Sequence, residues 1–267
     1  MKKIFKNPFF TFILGSLIFG GIGVVYAYSI FANDIGFEPN NSSWNVSNVK
    51  DALDDLYKLK SGSQVYEKLF NNNKYTLHND YKIKKDSNND YYFEFDGVDD
   101  YISLATIPAT DDFTNGFTVE AKAKWYNFNN YSRIFDIGNG PESNNITLDN
   151  YGTTSQLQFL SRNDSDGVMY GNSNAMTLDQ NQIVSIKIEA EKVENNSYSI
   201  KYYKNGNLIS EDTTNNSYFK NIERKNNYIG KSNWDSNDYF KGAIYYVRLK
   251  DLNGNIIFNV NANEIFK

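Results

Sequence analysis

The clearest pattern in the chain is an alternation of apolar and polar residues over positions 117–126. The run FTVEAKAKWY places Phe, Val, two Ala and Trp on one side of an extended segment, and Thr, Glu and two Lys on the other. A period of two is typical of a β-strand with one buried face. The run therefore predicts a strand on which Trp125 packs into a core.

Similar short runs follow at close spacing. They read SRIFDIG, NNITLDN, SQLQFLS, QIVSIKIEAE, SYSIKYYKNG, NYIG, GAIYYVRLK and NIIFNV. The dipeptides Asn205-Gly206 and Asn253-Gly254 lie between apolar runs, where they favour hairpin turns. No stretch after Gly62 carries a long helical period. The pattern predicts an all-β fold over residues 63–267, a two-sheet antiparallel jelly-roll sandwich.

The segment before the predicted sandwich, residues 34–62, has a different character. It begins as a polar linker and continues as NVKDALDDLYKLKSG, which starts with the capping residue Asn48 and repeats apolar residues at helical spacing. This predicts an amphipathic helix of about three turns, with Trp44 as a hydrophobic staple. Such a short helix needs a partner, either the following domain or a second copy in a short coiled coil.

The N-terminal residues 1–33 predict export. Lys2, Lys3 and Lys6 precede the apolar residues 9–32, and the next charge is Asp34. This asymmetry directs the rest of the chain outward. About 24 apolar residues are enough for a single-pass transmembrane anchor. The tripeptide Val25-Tyr26-Ala27 could instead end a cleaved signal peptide. We therefore expect either the extracellular face of the cell membrane or secretion.

The amino-acid composition limits the partners and the reaction types that we expect. The 267 residues carry a formal charge of -5 and include 21 Tyr and 19 Phe, no Cys and one His. Without a block of Lys and Arg, nucleic acid is not an expected partner. The absence of Cys excludes disulfides and thiolate chemistry. His78 lies in YTLHND, which we interpret as an exposed loop.

Several segments taken together resemble a known family. They are YYFEFDGVDDYISL, FTVEAKAKW, SRIFDIG, IKYYKNGNLIS and NYIGKSNWDSNDYFKGAIYYVRLKD, in this order over about residues 65–267. In this order they resemble the laminin G-like members of the concanavalin A-like lectin/glucanase superfamily. The resemblance implies a jelly-roll sandwich of a bacterial surface protein. It leaves the ligand open, because the superfamily includes lectins, protein-binding modules and glucanases.

The acidic turn FDGVDD has two interpretations. Asp96, Asp99 and Asp100 offer oxygen ligands of the kind that calcium prefers, so Asp96 and Asp99 are candidate metal ligands. The alternative is an Asp-Gly turn with the other carboxylates in solvent. Family members that bind calcium commonly use an acidic residue of the last-strand motif, but residues 243–246 read AIYY. We therefore favour the turn.

The loop KSNWDSNDYFKG contains the candidate ligand-binding residues Trp234, Asn233, Asp235, Asn237 and Asp238. A sugar presents an apolar face edged by hydroxyl groups, so a lectin site needs an exposed aromatic ring beside directional polar groups. Loops held by a rigid sandwich are suitable places for such a site. The alternative is that Trp234 folds back and covers one end of the sandwich.

Hydrolysis finds less support in the sequence. A retaining glycosidase needs two carboxyl groups about 5 to 5.5 Å apart. The strand with Glu120 otherwise carries lysines on its polar face, and Glu189 and Glu191 lack aromatic neighbours. We therefore expect an exported, membrane-anchored surface protein with a non-catalytic, lectin-like domain that binds a glycan or surface polysaccharide. A protein-binding adhesion or structural module is the alternative, and a glycoside hydrolase is the less favoured one.

Overall fold

The computed structural model describes residues 75–79, 82–109, 114–164, 167–194, 197–214 and 219–265. All of them lie within one compact unit, Glu67–Lys267. The predicted N-terminal anchor, the amphipathic helix and Trp44 fall outside the described residues, so the division of the chain at residues 33 and 62 stays a prediction. In the described ranges, no helix is long and apolar enough to cross a membrane.

Nearly all of the regular structure in these ranges is β-strand. The elements are β1 (Tyr75–His78), β2 (Lys82–Lys85), β3 (Tyr91–Asp96), β4 (Tyr101–Leu104), β5 (Gly116–Trp125), β6 (Arg133–Gly138), β7 (Ile146–Asn150), β8 (Gln156–Asn163), β9 (Gly167–Thr177), β10 (Val184–Glu194), β11 (Ser197–Lys204), β12 (Asn207–Thr213), β13 (Asn226–Ile229), β14 (Lys241–Asp251), β15 (Ile256–Asn261) and α1 (Ala262–Ile265).

The strands form two antiparallel sheets. The seven-stranded sheet has the order β1-β4-β13-β6-β7-β8-β9. The eight-stranded sheet has the order β12-β11-β10-β5-β14-β3-β2, and β15 pairs with β14 beside this path. The predicted all-β jelly-roll sandwich is therefore confirmed.

The core lies between the two sheets, as the alternation in β5 predicts. Apolar residues of β5 are buried and its polar residues are half-buried. Trp125 is fully buried and its ring meets the Phe240 ring edge-on at 5.4 Å. Between the sheets, Phe117 contacts Phe159 with ring centres 6.3 Å apart. Full burial of one such side chain stabilises the fold by about 1.5–3 kcal/mol.

Both predicted hairpins are confirmed. Asn205 and Gly206 join β11 to β12 with φ values of 51° and 83°. Positive φ at both central residues defines a type I′ turn, whose twist matches that of the flanking strands. Asn253 and Gly254 lie in the turn between β14 and β15.

Some segments differ from the sequence interpretation. His78 is the last residue of β1 and pairs with Tyr101 of β4, so the prediction of an exposed loop is wrong. The physical reason is a partner strand more than twenty residues away, which local sequence does not show. Strand β9 was also not predicted, because its Gly, Asn and Ser residues hide the alternation. It forms by antiparallel pairing with β8.

Candidate functional site

Half-buried aromatic rings form a row across the outer face of the seven-stranded sheet. We call this row the aromatic strip, and it consists of His78, Tyr101, Tyr228, Tyr239 and Trp234. His78 and Tyr101 are register partners in β1 and β4, and Tyr228 lies on the next strand, β13. Tyr239 and Trp234 belong to the loop between β13 and β14. The strip therefore combines three neighbouring strands with one loop.

Alternation explains why these rings face outward. In β4, Ile102 and Leu104 are buried between the sheets, which leaves Tyr101 on the opposite side of the strand. In β13, Ile229 is buried and Tyr228 takes the outer side in the same way. Successive side chains of a strand point to opposite faces, so a tyrosine next to a buried aliphatic residue must face outward.

Four rings of the strip, all except Trp234, are linked through Tyr101. His78 stacks on Tyr101 with ring centres 4.1 Å apart and an angle of 7° between the planes. Tyr228 meets Tyr101 edge-on at 5.8 Å, and the Tyr239 ring lies 6.3 Å away. The Lys231 Nζ atom lies 4.6 Å from the centre of Tyr101 and 5.1 Å from that of Tyr228. Such contacts add cation–π attraction to ring packing.

Burial and the charge of Lys231 both affect the pKa of His78, the one histidine of the sequence. Burial lowers the pKa of His78, and the positive charge of Lys231 lowers it further. The Nε2 atom of His78 lies 2.8 Å from the hydroxyl oxygen of Ser103, within hydrogen-bond distance. At neutral pH the ring is therefore uncharged, which suits a side chain stacked on Tyr101.

Trp234 stands at the loop end of the strip, above two arginines. Its ring centre lies 5.3 Å from Cζ of Arg133 and 5.9 Å from Cζ of Arg162. Arg162 forms an ion pair of 2.9 Å with Glu142, and the buried Arg133 pairs with Asp149. Trp234 is only half-buried, so part of its ring reaches solvent. It also lines a small pocket of about 90 Å³ with Lys231, Asp235, Asn237 and Tyr239.

A buried polar network supports the Trp234 loop from below. The carboxylate of Asp136 accepts hydrogen bonds from the backbone N–H of Asn233 at 2.9 Å and from its side-chain amide at 2.8 Å. A third bond comes from the Asn145 amide at 2.9 Å. Burial raises the pKa of Asp136, against the opposing effects of Arg133 and these donors. Burial also lowers the pKa of Arg133 to about 10, so its guanidinium is charged at pH 7.

The structure brings the five predicted ligand-binding residues together in one loop. The Asn233 side chain is buried on Asp136, and the Asn237 amide donates to the Ser232 hydroxyl at 3.0 Å. The Asp238 carboxylate accepts from the backbone N–H of Asn130 at 2.8 Å, whereas Asp235 is exposed. Asn233 and Asp238 thus hold the loop, while Trp234 and Asp235 face solvent. Ligand binding by these residues stays a prediction.

Sequence reasoning missed the other members of the strip. Tyr101 in YISL and Tyr228 in NYIG stand on the polar side of short alternating runs. An aromatic residue on that side marks an outward ring, so this signal was available in the sequence. The contact between Tyr101 and Tyr239 joins distant parts of the chain, so the local sequence does not indicate it.

The acidic turn gathers three carboxylates. One oxygen from each of Asp96, Asp99 and Asp100 lies within 4.8 Å of the others. Asp96 Oδ1 accepts from the backbone N–H of Val98 at 2.7 Å, and Asp100 Oδ2 accepts from that of Asp96 at 3.0 Å. Gly97 has a φ of 82°, as an Asp-Gly turn requires. Two carboxylates thus stabilise the turn, and calcium binding by Asp96 and Asp99 stays a prediction.

Glu120 and Glu189, on the outer face of the eight-stranded sheet, are paired with cations. Glu120 lies 3.3 Å from Arg248 and 2.9 Å from Lys250, and Glu189 lies 2.8 Å from Lys187. A glycosidase acid must hold its proton near neutral pH, which requires a raised pKa. A neighbouring cation acts in the opposite direction. Although burial acts to raise the pKa of Glu189, the hydrogen bonds from Lys187 and Tyr203 and the charge of Lys187 lower it overall, so Glu189 is poorly placed for general acid catalysis.

The fold and the match to a sequence family place the chain in one class. The Concanavalin A-like lectin/glucanases superfamily matches residues 96–252, which is more than half of the chain. The chain belongs to this superfamily. The resemblance that its motifs show is therefore confirmed. No match was found among the curated proteins.

Solved structures are similar to this chain at low sequence identity. Domain 4 of an extracellular arabinanase from Geobacillus stearothermophilus, in complex with arabinotriose, superposes with a TM-score of 0.50 and 15% identity over 72% of this chain and 85% of that one. A carbohydrate-binding module of a Ruminococcus gnavus sialidase, bound to α2,3-sialyllactose, has a TM-score of 0.42 and 16% identity over 69% and 96%. Domains LG4-5 of the mouse laminin alpha1 chain have a TM-score of 0.42 and 13% identity, over 60% of this chain and 42% of that one.

Proposed function

We propose that this chain is an exported, membrane-anchored surface protein whose sandwich binds carbohydrate without chemical turnover. The aromatic strip is the observation that carries the proposal. Its rings are rigid, partly exposed and adjacent to Lys231 and Asp235, which lie beside Trp234. Aromatic faces suit the apolar faces of sugar rings, and the charged groups suit their hydroxyls.

The dimensions of the strip favour an oligosaccharide over a single sugar. His78, Tyr101 and Tyr228 lie on three adjacent strands. Strands in a sheet are about 4.8 Å apart, so these rings alone extend over about 10 Å. A ligand that contacts all five rings must therefore have more than one sugar unit.

The cation partners of the carboxylates support binding over hydrolysis. Asp136 is buried against Asn233 and Arg133, and Asp149 is buried against Arg133 as well. Glu120 and Glu189 are held by cations on the other sheet. A retaining mechanism needs a carboxyl group with a raised pKa close to a second, accessible carboxylate. Asp136 and Asp149 are buried, and Glu120 and Glu189 are paired with cations.

The anchor supports the same role. Lys2, Lys3 and Lys6 followed by the apolar residues 9–32 favour an N-terminus held in the cytoplasm and a sandwich outside the cell. Shallow sugar sites bind weakly, and many tethered copies on one surface gain avidity. Mass spectrometry of the mature N-terminus separates the retained anchor from a cleaved signal peptide, which would end near Ala27.

A glycan array tests the binding. The full-length chain is applied in a detergent without a sugar headgroup, because such a headgroup would compete for the strip. We expect binding to an oligosaccharide that Trp234→Ala and Tyr101→Ala each weaken by about ten-fold or more. Tyr203→Ala is the matched control, because Tyr203 packs on Lys187 on the other sheet.

Three results would count against the proposal. An array without any bound glycan would favour the protein-binding alternative. Binding that survives both substitutions in the strip would move the carbohydrate site elsewhere. Release of reducing sugar from a bound oligosaccharide would instead support the hydrolase alternative.

A further inference from the structure

The eight-stranded sheet contains a gap where β14 changes its partner. β14 pairs with β3 through Ile244 and with β15 from Tyr246 onward. The register with β5 shifts between these two residues, so Tyr245 is the extra residue of a β-bulge. Bulges often occur beside functional sites because they redirect side chains. Here the bulge lies where the hydrogen bonding on one side of β14 is interrupted.

A pocket of about 360 Å³ lies at this gap. Its floor includes Tyr245 and Tyr246, which belong to a small aromatic cluster on the outer face of the sheet together with Tyr92. The lining also includes charged and amide side chains from three other parts of the chain, namely Asp90, Lys122, Asn261, Asn263 and Glu264. The volume is near the lower end of the range for small-molecule sites, about 300–1,000 Å³.

Hydrogen bonds across the gap fix the shape of the pocket. The Asn263 side chain accepts from the backbone N–H of Tyr91 at 3.0 Å and donates to Asp90 at 3.2 Å, which joins α1 to the start of β3. Lys122 Nζ lies 2.8 Å from the Asp90 carboxylate and 4.6 Å from the centre of the Tyr245 ring. Such a site requires little reorganisation when a ligand binds.

The lining determines the class of ligand. Lys122 and the two asparagine amides donate hydrogen bonds, whereas Asp90 and Glu264 accept them. The charges nearly balance, because Lys122 and the nearby Arg248 offset the two carboxylates. A charged ligand therefore gains little. A neutral ring with several hydroxyl groups can both donate and accept here and can place its apolar face on Tyr246.

We propose that this pocket is a second binding site, separate from the aromatic strip, that takes one neutral sugar unit. It lies on the other sheet and shares no residue with the strip. It therefore does not depend on the function proposed above. If both sites are occupied, one chain can engage two glycans from opposite faces.

Saturation-transfer NMR tests the proposal with six neutral sugars, namely glucose, galactose, mannose, xylose, arabinose and N-acetylglucosamine. The protein is the full-length chain carrying Trp234→Ala, which weakens the strip and isolates the pocket. We expect at least one sugar to bind with a Kd on the order of 1 mM, as is usual for so small a ligand.

Two further substitutions locate the binding. On the Trp234→Ala background, Tyr246→Ala and Glu264→Gln should each weaken it by about five-fold or more. Glu264→Gln keeps the size of an exposed side chain, so it remains informative if Tyr246→Ala fails to fold. Tyr203→Ala should leave the affinity unchanged. The proposal is wrong if none of the six sugars binds, or if the binding is unaffected by Glu264→Gln and by a folded Tyr246→Ala chain.

Discussion

The outer faces of the two sheets have the same strand alternation but differ in what lies over them. On the eight-stranded sheet, Glu120, Arg248 and Lys250 form an ion-pair network whose side chains remain about a quarter exposed. On the seven-stranded sheet, all residues of β6 and β7 are buried, including the outward-facing Asp136 and Asp149. The exposure differs because the loop between β13 and β14 covers the outer face of the seven-stranded sheet. An outward position on a strand is therefore not necessarily an exposed one.

Removal of one carboxylate from each face is the strongest test of this comparison. Asp136→Ala removes the buried acceptor of the Asn233 hydrogen bonds and one of the two carboxylates beside Arg133, so we expect the free energy of unfolding to fall by about 3–5 kcal/mol. Glu120→Ala removes a partly exposed ion pair, and we expect a loss below about 1 kcal/mol. Urea denaturation at pH 7 measures both values. Equal losses would mean that the loop does not isolate Asp136 from water.

Gly97 lies in a turn that connects the two sheets, whereas Gly206 lies in a hairpin turn within one sheet. Gly97 and Gly206 have φ values of 82° and 83°, so alanine is strained equally at both. A Cβ atom at Gly97 would lie 2.7 Å from Cβ of Lys241 and 2.8 Å from the Asn129 amide, whereas one at Gly206 would meet nothing within 4 Å.

We therefore expect different losses in the free energy of unfolding. Gly206→Ala should cost about 1 kcal/mol for the strained φ alone. Gly97→Ala should cost at least about 1 kcal/mol more, because the added atom overlaps with its neighbours. Denaturation curves of the two variants measure the difference directly. A larger loss at Gly206 would show that space around the turn does not limit substitution.

His78, on the seven-stranded sheet, should make the stability of the protein depend on pH, and we expect this effect to be smaller than those above. Burial and Lys231 hold the pKa of His78 below 6.5 in the folded chain. As the pH falls through 6.5, the unfolded chain takes up a proton before the folded chain does, so stability decreases. The full contribution of His78 to stability is present above pH 6.5. It is lost as the pH falls to the lower pKa that His78 has in the folded chain.

Substitution of His78 should remove this dependence. We expect the wild-type chain to lose more stability between pH 7.5 and pH 5.5 than His78→Gln, as measured by urea denaturation at both values. Carboxylates titrate in both proteins, so the difference between the two chains reports on the imidazole. An identical loss would mean that burial and Lys231 do not lower the pKa of His78 in solution.

The sequence predicts those features that depend on neighbours along the chain. Alternation gives β5 and its buried Trp125, and the Asn205-Gly206 dipeptide gives its hairpin. The strand position of His78 depends on pairing with Tyr101, and local sequence cannot show it. The residue types around Trp234 suggest a binding loop. Contact between Asn233 and Asp136 joins residues 97 positions apart, so the buried role of Asn233 appears only in the folded chain.

The acidic turn provides the test with the smallest expected effect. The hydrogen bonds from Val98 to Asp96 and from Asp96 to Asp100 are made within the turn itself. Since these bonds already organise the carboxylates, we expect the melting temperature to change by less than about 1 °C between excess calcium and excess chelator.

The variant Asp99→Asn is the matched control, because it removes a carboxylate that makes neither of these bonds. An ion that binds only the native state must raise its stability, so a calcium-dependent rise of several degrees would contradict the expectation. Loss of that rise in Asp99→Asn would then assign calcium to the acidic turn, with Asp99 as a ligand. It would also show that the turn between the sheets is held by a ligand, unlike the hairpin at Gly206.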